Sequence, residues 1–410
     1  MGGLDARRNG FVHLRARARA RADRTAAAFG LCRDARQRRV GLAGSILFAL
    51  FLVGWGLSFI WGPLADRFGR TKVLAATIFT FAIFTGLAAT AHTVWELGIY
   101  RFFAGVGIGG EWALAGTYVA EAWPEDRRKM GAGYLQTGYY AGFFLAAALN
   151  YTIGAAFGWR AMFLVGLFPV VISILVLLRV KETDKWECAD ATTGTKIKHE
   201  SSLKAIFNAQ YRKRTIVAAV LLTVAIIGLW AGAVYEPSAV IQLATKAGMG
   251  KVEAARMASI ATGLLSIGTI VGCLALPPMA ERIGRRKTLA VYFVGMAASI
   301  ALAFGWAFYL PNGLVPFIAL LVVLGFFGGN FALFSLWLPE QFETRVRATA
   351  FAFCTSVGRF FGAIVNFDIG AIVLNMKTLG VPIALTAIAF LIGLAVIPLA
   401  PETEGQELPS

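Results

Sequence analysis

The sequence predicts an all-α polytopic membrane protein built from two related helical bundles. Three observations carry that expectation: an apolar composition, a series of apolar runs long enough to cross a bilayer, and a charged loop that occurs twice. Of 410 residues, 58% are hydrophobic and 15% charged, whereas soluble domains carry about a quarter charged residues. The mean hydropathy is +0.67. The net charge of +16 raises the question of nucleic acid. Most of the cations sit in loops between apolar runs, where they report topology, so no nucleic-acid partner is expected. The cysteines (Cys32, Cys188, Cys273, Cys354) and histidines (His13, His92, His199) lack pairing or ligand spacing, so neither a disulfide framework, a metal nor another cofactor is expected.

Residues 1–39 stand apart, with eleven arginines, no lysine and three aspartates. Two readings are open for this leader: a disordered or mis-started segment, or an anchor for anionic lipid. Apolar runs follow at 40–61, 73–91, 95–119, 131–157, 159–178, 214–236, 257–279, 288–308, 314–337, 348–373 and 379–399. Each can cross a hydrocarbon core of about 30 Å, which gives eleven candidate transmembrane helices. The longest polar break divides them into a first bundle of five helices (40–178), a central loop (179–213) and a second bundle of six (214–399), with a tail at 400–410. A surface helix is expected from Ser201 to Arg214.

Charge asymmetry orients the chain. Alternate loops hold twenty-one cations, among them Arg67, Arg70, Lys72, Arg127, Arg282 and Arg345, while the opposite loops hold five. The cation-rich side, with the central loop and C-terminal tail, is therefore expected in the cytoplasm. The halves also share landmarks. Gly109-Gly110-Glu111-Trp112-Ala113-Leu114 matches Gly328-Gly329-Asn330-Phe331-Ala332-Leu333 at an offset of 219, and Glu121 matches Glu340 at the same offset. Lys181-Glu182-Thr183 matches Pro401-Glu402-Thr403 at 220. The loop Asp66-Arg67-Phe68-Gly69-Arg70-Thr71-Lys72 recurs as Glu281-Arg282-Ile283-Gly284-Arg285-Arg286-Lys287. Parallel repeats of this kind occur in transporters.

From residue 40 to about 405 the chain resembles the major facilitator superfamily. Gly62–Lys72 is similar to the signature loop between that family's second and third helices. Arg101-Phe102-Phe103-Ala104-Gly105-Val106-Gly107-Ile108-Gly109 is similar to its fourth-helix motif. Gly109-Gly110-Glu111-Trp112 and Ala120-Glu121-Ala122-Trp123-Pro124 resemble proton-coupled symporters for organic acids, such as shikimate and sialate carriers. Against that template the first of twelve helices is missing and the Arg-rich leader takes its place, so a truncated or frameshifted start near residue 40 is expected. The resemblance implies a monomeric multi-pass protein of the plasma (inner) membrane that moves protons and a small organic anion by alternating access. A sugar or neutral-solute carrier or facilitator is the alternative, and a non-transporting sensor or inactive truncated transporter is the alternative of another class. No nucleophile–base pair and no ATP-binding loop is present, so neither an enzyme nor a primary pump is expected. A nucleotide-binding reading of Gly105–Gly110 fails for want of a strand and an acidic partner.

Charges inside apolar runs cost about 2.5–3.5 kcal/mol each unless compensated, so they point to function. They avoid the runs 73–91, 159–178, 288–308 and 379–399 except for Arg160 at one end; the resemblance places those four against lipid. Glu111 is the first candidate for a proton-carrying carboxylate; the competing reading ties it permanently to an arginine of a neighbouring helix. Arg101, ten residues earlier, lies about 15 Å along the same helix and about 280° round it, so the two do not pair directly. The resemblance implicates Arg101 in proton coupling, and the alternative is an interfacial arginine that snorkels. Arg359 is the candidate to hold a substrate carboxylate bidentately, or else it pairs with Glu111 or Asp368. Gln136, Tyr139, Tyr140, Trp230, Tyr235 and Asn330 are candidate substrate-binding residues of the cavity wall. The resemblance implies that Asp66 docks near the start of the eleventh family helix, at about Ala348. Arg67, Arg70, Glu121, Arg127, Glu281, Arg282, Glu340 and Arg345 are expected to complete a gating charge network.

Overall fold

The computed structural model describes residues 46–124, 127–149, 153, 157–192, 202–376, 378–406 and 408–409. The Arg-rich leader lies outside them. The chain divides into Met1–Ala49 and Leu50–Ser410. Of the first unit only the helical residues 46–49 are described, and the account below concerns the second.

Every regular element among the described residues is helical. The helices are α1 (Trp61–Phe68), α2 (Arg70–Leu87), α3 (Val94–Ala122), α4 (Arg128–Leu149), α5 (Trp159–Val165), α6 (Pro169–Arg179), α7 (Asp184–Thr192), α8 (Ser202–Ala205), α9 (Arg212–Lys246), α10 (Lys251–Ile283), α11 (Arg285–Gly305), α12 (Leu314–Gly328), α13 (Phe331–Trp337), α14 (Thr344–Met376), α15 (Gly380–Leu385) and α16 (Ile388–Val396). Among the described residues, eight segments are apolar and long enough to cross a membrane. Three further long helices, α3, α4 and α9, coincide with the remaining apolar runs at 29, 22 and 35 residues. In α3 the apolar pattern is interrupted by Glu96, Arg101, Glu111 and Glu121.

Local chemistry sets the boundaries. Thr93 and Glu96 form a reciprocal capping box at the start of α3. Both copies of the charged loop turn on a glycine with positive φ, Gly69 at +100° and Gly284 at +86°, a conformation that side-chain-bearing residues rarely adopt. The next helix then begins on a carboxylate. Glu182 accepts from the N–H groups of Arg70 (2.9 Å) and Thr71 (3.1 Å), and Glu402 from those of Arg285 (2.9 Å) and Arg286 (3.1 Å). An anion at a helix N-terminus satisfies free donors and meets the positive end of the dipole. The two halves repeat each other down to individual hydrogen bonds.

Glycine also sets helix spacing. A Cβ on Gly105 would collide with the carbonyl of Phe51, and one on Gly325 with the carbonyl of Leu265. The residues are 220 positions apart and bring equivalent helix pairs to backbone contact.

Some boundaries differ from those read in the sequence. The expected helix from Ser201 to Arg214 is a single turn, α8, followed by turns before α9. The Asn208 side chain accepts from the backbone N–H groups of Gln210 (3.0 Å) and Tyr211 (3.1 Å), which breaks the helix there. The run 214–236 ends too early, because α9 continues through Pro237 to Lys246, with Ala239, Val240, Leu243 and Ala244 buried beyond the proline. The run 314–337 breaks between α12 and α13 at Gly329 and Asn330. Nor are the four uncharged runs uniformly bare. Trp159–Arg179 is 6% buried, as a lipid-facing helix should be, whereas Arg285–Tyr309 is 56% buried. Tyr292, Phe293, Met296, Ile300 and Phe304 put one flank of α11 into the core.

Candidate functional site: a central cavity above a charge cluster

The helix α3 presents Ile108, Glu111, Trp112 and Ala115 to a cavity of about 340 Å³. Their spacing is that of a single helical face. Leu135, Gln136, Gly138 and Tyr139 join from α4, Ile226 from α9, Phe331 from the start of α13 and Arg359 from α14; Trp55 completes the wall. The cavity therefore draws on both sets of helices, α1–α6 and α9–α16. It brings Glu111 and Arg359 together with four aromatic rings.

Arg359 is buried at 5% exposure. Its Nη1 donates to the carbonyl of Thr355 (2.8 Å), and its guanidinium carbon lies 4.4 Å from the Trp55 ring centroid and 5.7 Å from that of Trp112. Among the described residues no carboxylate pairs with it, and Glu111 likewise has no cation or hydrogen-bond partner. The ion pair between them that the sequence left open is absent among the described residues. Aromatic faces supply part of the counter-field instead, an attraction worth about 0.5–2 kcal/mol each. The Trp112 indole donates across to Ser335 Oγ (3.0 Å), which fixes the ring that both flanks Arg359 and neighbours Glu111.

The other wall candidates divide. Gln136 and Tyr139 line the cavity; Tyr140 is buried in the core beside it. Asn330 is wholly buried in the break before α13, where Nδ2 donates to the carbonyl of Phe327 (3.0 Å). Tyr235 is half-buried and outside the cavity lining, and the side chains of Trp230 and Asp368 lie outside the described residues. Arg101 is not at the cavity. Its guanidinium lies 4.5 Å from the Phe51 ring and 5.8 Å from the Phe163 ring.

At the cation-rich end the two sets of helices are joined. Asp66 accepts from the backbone N–H groups of Ala348 (3.3 Å) and Thr349 (3.0 Å) in the second turn of α14. Its carboxylate also lies 3.1 Å from Arg70 Nη1. Glu121 holds two arginines: Arg70 through Nε and Nη2 (3.1 Å each), and Arg347 through Nη1 (2.6 Å). Thr183 donates to the same carboxylate (2.8 Å), and Arg70 reaches the carbonyl of Thr344 (2.6 Å). The side chains of Arg70, Glu121 and Arg347 are 0% exposed. The second copy repeats the inner part: Arg285 holds Glu340 through Nη2 (2.9 Å) and Nε (3.2 Å), and Thr403 donates to Glu340 (2.6 Å).

Several expected members stand elsewhere. Arg345, Arg282, Arg127, Glu281 and Arg67 are exposed, and Arg67 lies over the Phe68 ring. Arg347 takes the place expected for Arg345, and Arg285 that expected for Arg282. The sequence reading passed over Arg347, Arg285, Glu182, Glu402, Thr349, Trp55 and Trp112. Part of the signal was there, since Glu182 and Glu402 are equivalent in the internal repeat and so are Arg70 and Arg285.

The family model described as Major Facilitator Superfamily matches residues 34–365. The chain belongs to the major facilitator superfamily. Its relatives include a cis,cis-muconate transport protein of Acinetobacter baylyi, 30% identical over 337 residues, which are 80% of this chain and 77% of that one. A sialic acid transporter of Escherichia coli, NanX, is 26% identical over 61% of this chain and 58% of its own. Among solved structures, the superfamily's proton:xylose symporter XylE superposes with a TM-score of 0.74 at 19% identity, covering 91% of this chain and 89% of that one. This facilitator-family chain is thus a multi-pass membrane transporter with the superfamily fold, and not an enzyme.

Proposed function

We propose that this chain is a proton-coupled symporter of a small organic anion that works by alternating access. The observation that carries this reading is the shared cavity: Glu111 and Arg359 line one space from opposite sets of helices, and neither is neutralised by the other. An arginine with no acid partner among the described residues, walled by Trp55, Trp112, Tyr139 and Phe331, suits a planar carboxylate. The guanidinium binds the carboxylate, and the rings cover the hydrocarbon. Arrival of that anion changes the field at Glu111, and the carboxyl takes up or releases a proton in step with binding. Gln136 supplies a neutral donor or acceptor on the facing wall.

In this reading residues 40–178 and 214–399 are the two rocking bundles, and residues 179–213 and the tail 400–410 lie in the cytoplasm of a plasma-membrane protein. The Asp66–Arg70–Glu121–Arg347 cluster is then the cytoplasmic gate, closed in this conformation. The cation excess on that side supports the orientation. The substrates named for relatives give the probes. Purified protein in proteoliposomes is offered labelled cis,cis-muconate, sialic acid and xylose under a pH gradient. Gradient-driven accumulation of one of the acids supports the reading. Accumulation of xylose alone moves the assignment to a sugar carrier, and uptake of an acid that ignores the gradient removes the coupling.

A further inference from the structure

The second set of helices contains an ionisable group that the cavity does not use. Glu236 lies on α9 immediately before Pro237, is 1% exposed, and does not line the cavity. Its Oε2 is 2.9 Å from Thr262 Oγ1 on α10, and its Oε1 is buried without a hydrogen-bond partner. Proton counting across that contact is informative. Thr262 Oγ1 is also 3.0 Å from the carbonyl of Ala258, four residues earlier on its own helix. A threonine hydroxyl has one hydrogen to give. Thr117, Thr223 and Thr269 all give theirs to the carbonyl four residues back. If Thr262 does the same, the 2.9 Å contact holds a proton only when the carboxyl is the donor.

The second oxygen points the same way. An ionised carboxylate offers about four lone-pair sites, and here it would find at most one donor. Charge left uncompensated at such a position costs several kcal/mol, and the group neutralises instead. As a neutral acid it donates through Oε2 to Thr262, which donates onward to Ala258, and only a carbonyl oxygen stays unpaired. Among the described residues no nearby cation offers another solution. On α9, Lys246 lies over the Phe308 ring and Tyr235 is uncharged. On α10, Glu253 caps Gly250, Arg256 is exposed near the helix start and Glu281 and Arg282 are exposed at the other end, while the side chain of Lys251 lies outside the described residues. On α14 the ionisable groups are Arg345 and Arg347 at the start, the latter held by Glu121, Arg359 at the cavity, and Asp368, whose side chain lies outside the described residues; on α11 they are Arg285, Arg286 and Lys287 at the far end, with Tyr292. The helices α12, α15 and α16 carry none. Among the described residues the only polar partner of Glu236 is Thr262.

We propose that Glu236 and Thr262 form a second proton-binding site, apart from the substrate cavity, that holds its proton in this conformation. Pro237 has no N–H for the carbonyl of Ala233, so α9 is weakened at this turn. Bending there is the motion that would admit water to the carboxyl and release the proton.

The test needs no substrate, so its failure leaves the transport reading untouched. Infrared spectra of the purified protein in lipid, compared between neutral and strongly alkaline pH, show the C=O stretch of protonated carboxyl groups. The expected result is a band at neutral pH that persists in Glu111→Gln and is lost in Glu236→Gln. Thr262→Val, which removes the acceptor but keeps the acid, shifts that band. Identical spectra for the parent protein and Glu236→Gln would overturn the proposal. Should Glu236→Gln not fold, the Thr262→Val shift decides alone: a moved band supports the site, and an unmoved one refutes it.

Discussion

Arg347→Gln cuts an ion pair that ties the two sets of helices together at the cation-rich end. Glu121 keeps its two bonds to Arg70 and its bond to Thr183, both of which lie in the first set or just after it. No carboxylate is therefore left bare, and the full cost of orphaning a buried charge, about 3–5 kcal/mol, does not apply. What is lost is a buried charge-assisted contact of 2.6 Å, worth about 1.5–3 kcal/mol. That energy lies wholly on the joined conformation, so the equilibrium between joined and parted ends moves by a factor of about 10–150. Ser356 reports on it, because it is 1% exposed and touches Ser58 across the same interface (3.3 Å). With Ser356→Cys introduced and the exposed Cys188 replaced, maleimide labelling from the cation-rich side should quicken by that factor in Arg347→Gln. An unchanged rate would show that the ion pair does not hold the interface shut.

Further outcomes follow from other contacts. Arg359→Lys keeps the charge but loses the planar fork and its stacking on Trp55 and Trp112; affinity for a transported carboxylate, read from the concentration dependence of uptake, should fall about 10–100-fold. Gly69→Ala places a Cβ at positive φ against the Glu182 carboxylate, and Gly284→Ala repeats the clash with Glu402. Each should cost at least about 1–2 kcal/mol, seen as a lowered thermal midpoint in detergent. Glu182→Ala removes the acceptor for the first two N–H groups of α2 and should destabilise by about 1–2 kcal/mol in the same assay.

Much of the fold was legible because hydrocarbon imposes simple rules. Apolar runs of spanning length and a repeat offset near 220 locate the helices and pair the halves. The Asp66 contact with Ala348 was reached through the family resemblance of the loop and not through spacing or charge. Which of two nearby side chains turns inward was not legible. Arg345 and Arg347 are two residues apart at a helix start, about 200° round the axis, so one is exposed and the other wholly buried. Tyr139 and Tyr140 divide between cavity and core in the same way. The aromatic flanks of Arg359 were also hidden, because Trp55 and Trp112 belong to segments far from it in sequence. The end of α9 was misplaced because Pro237 reads as a stop, yet buried packing beyond it carries the helix on.

Coupling at Glu111 is the claim on which the transport account rests most directly, and external pH recorded as the acid that accumulates in the gradient assay enters weakly buffered proteoliposomes tests it. The account predicts alkalinisation with the parent protein and none with Glu111→Gln, while exchange of that acid for itself continues in both. An undiminished alkalinisation in Glu111→Gln would contradict it.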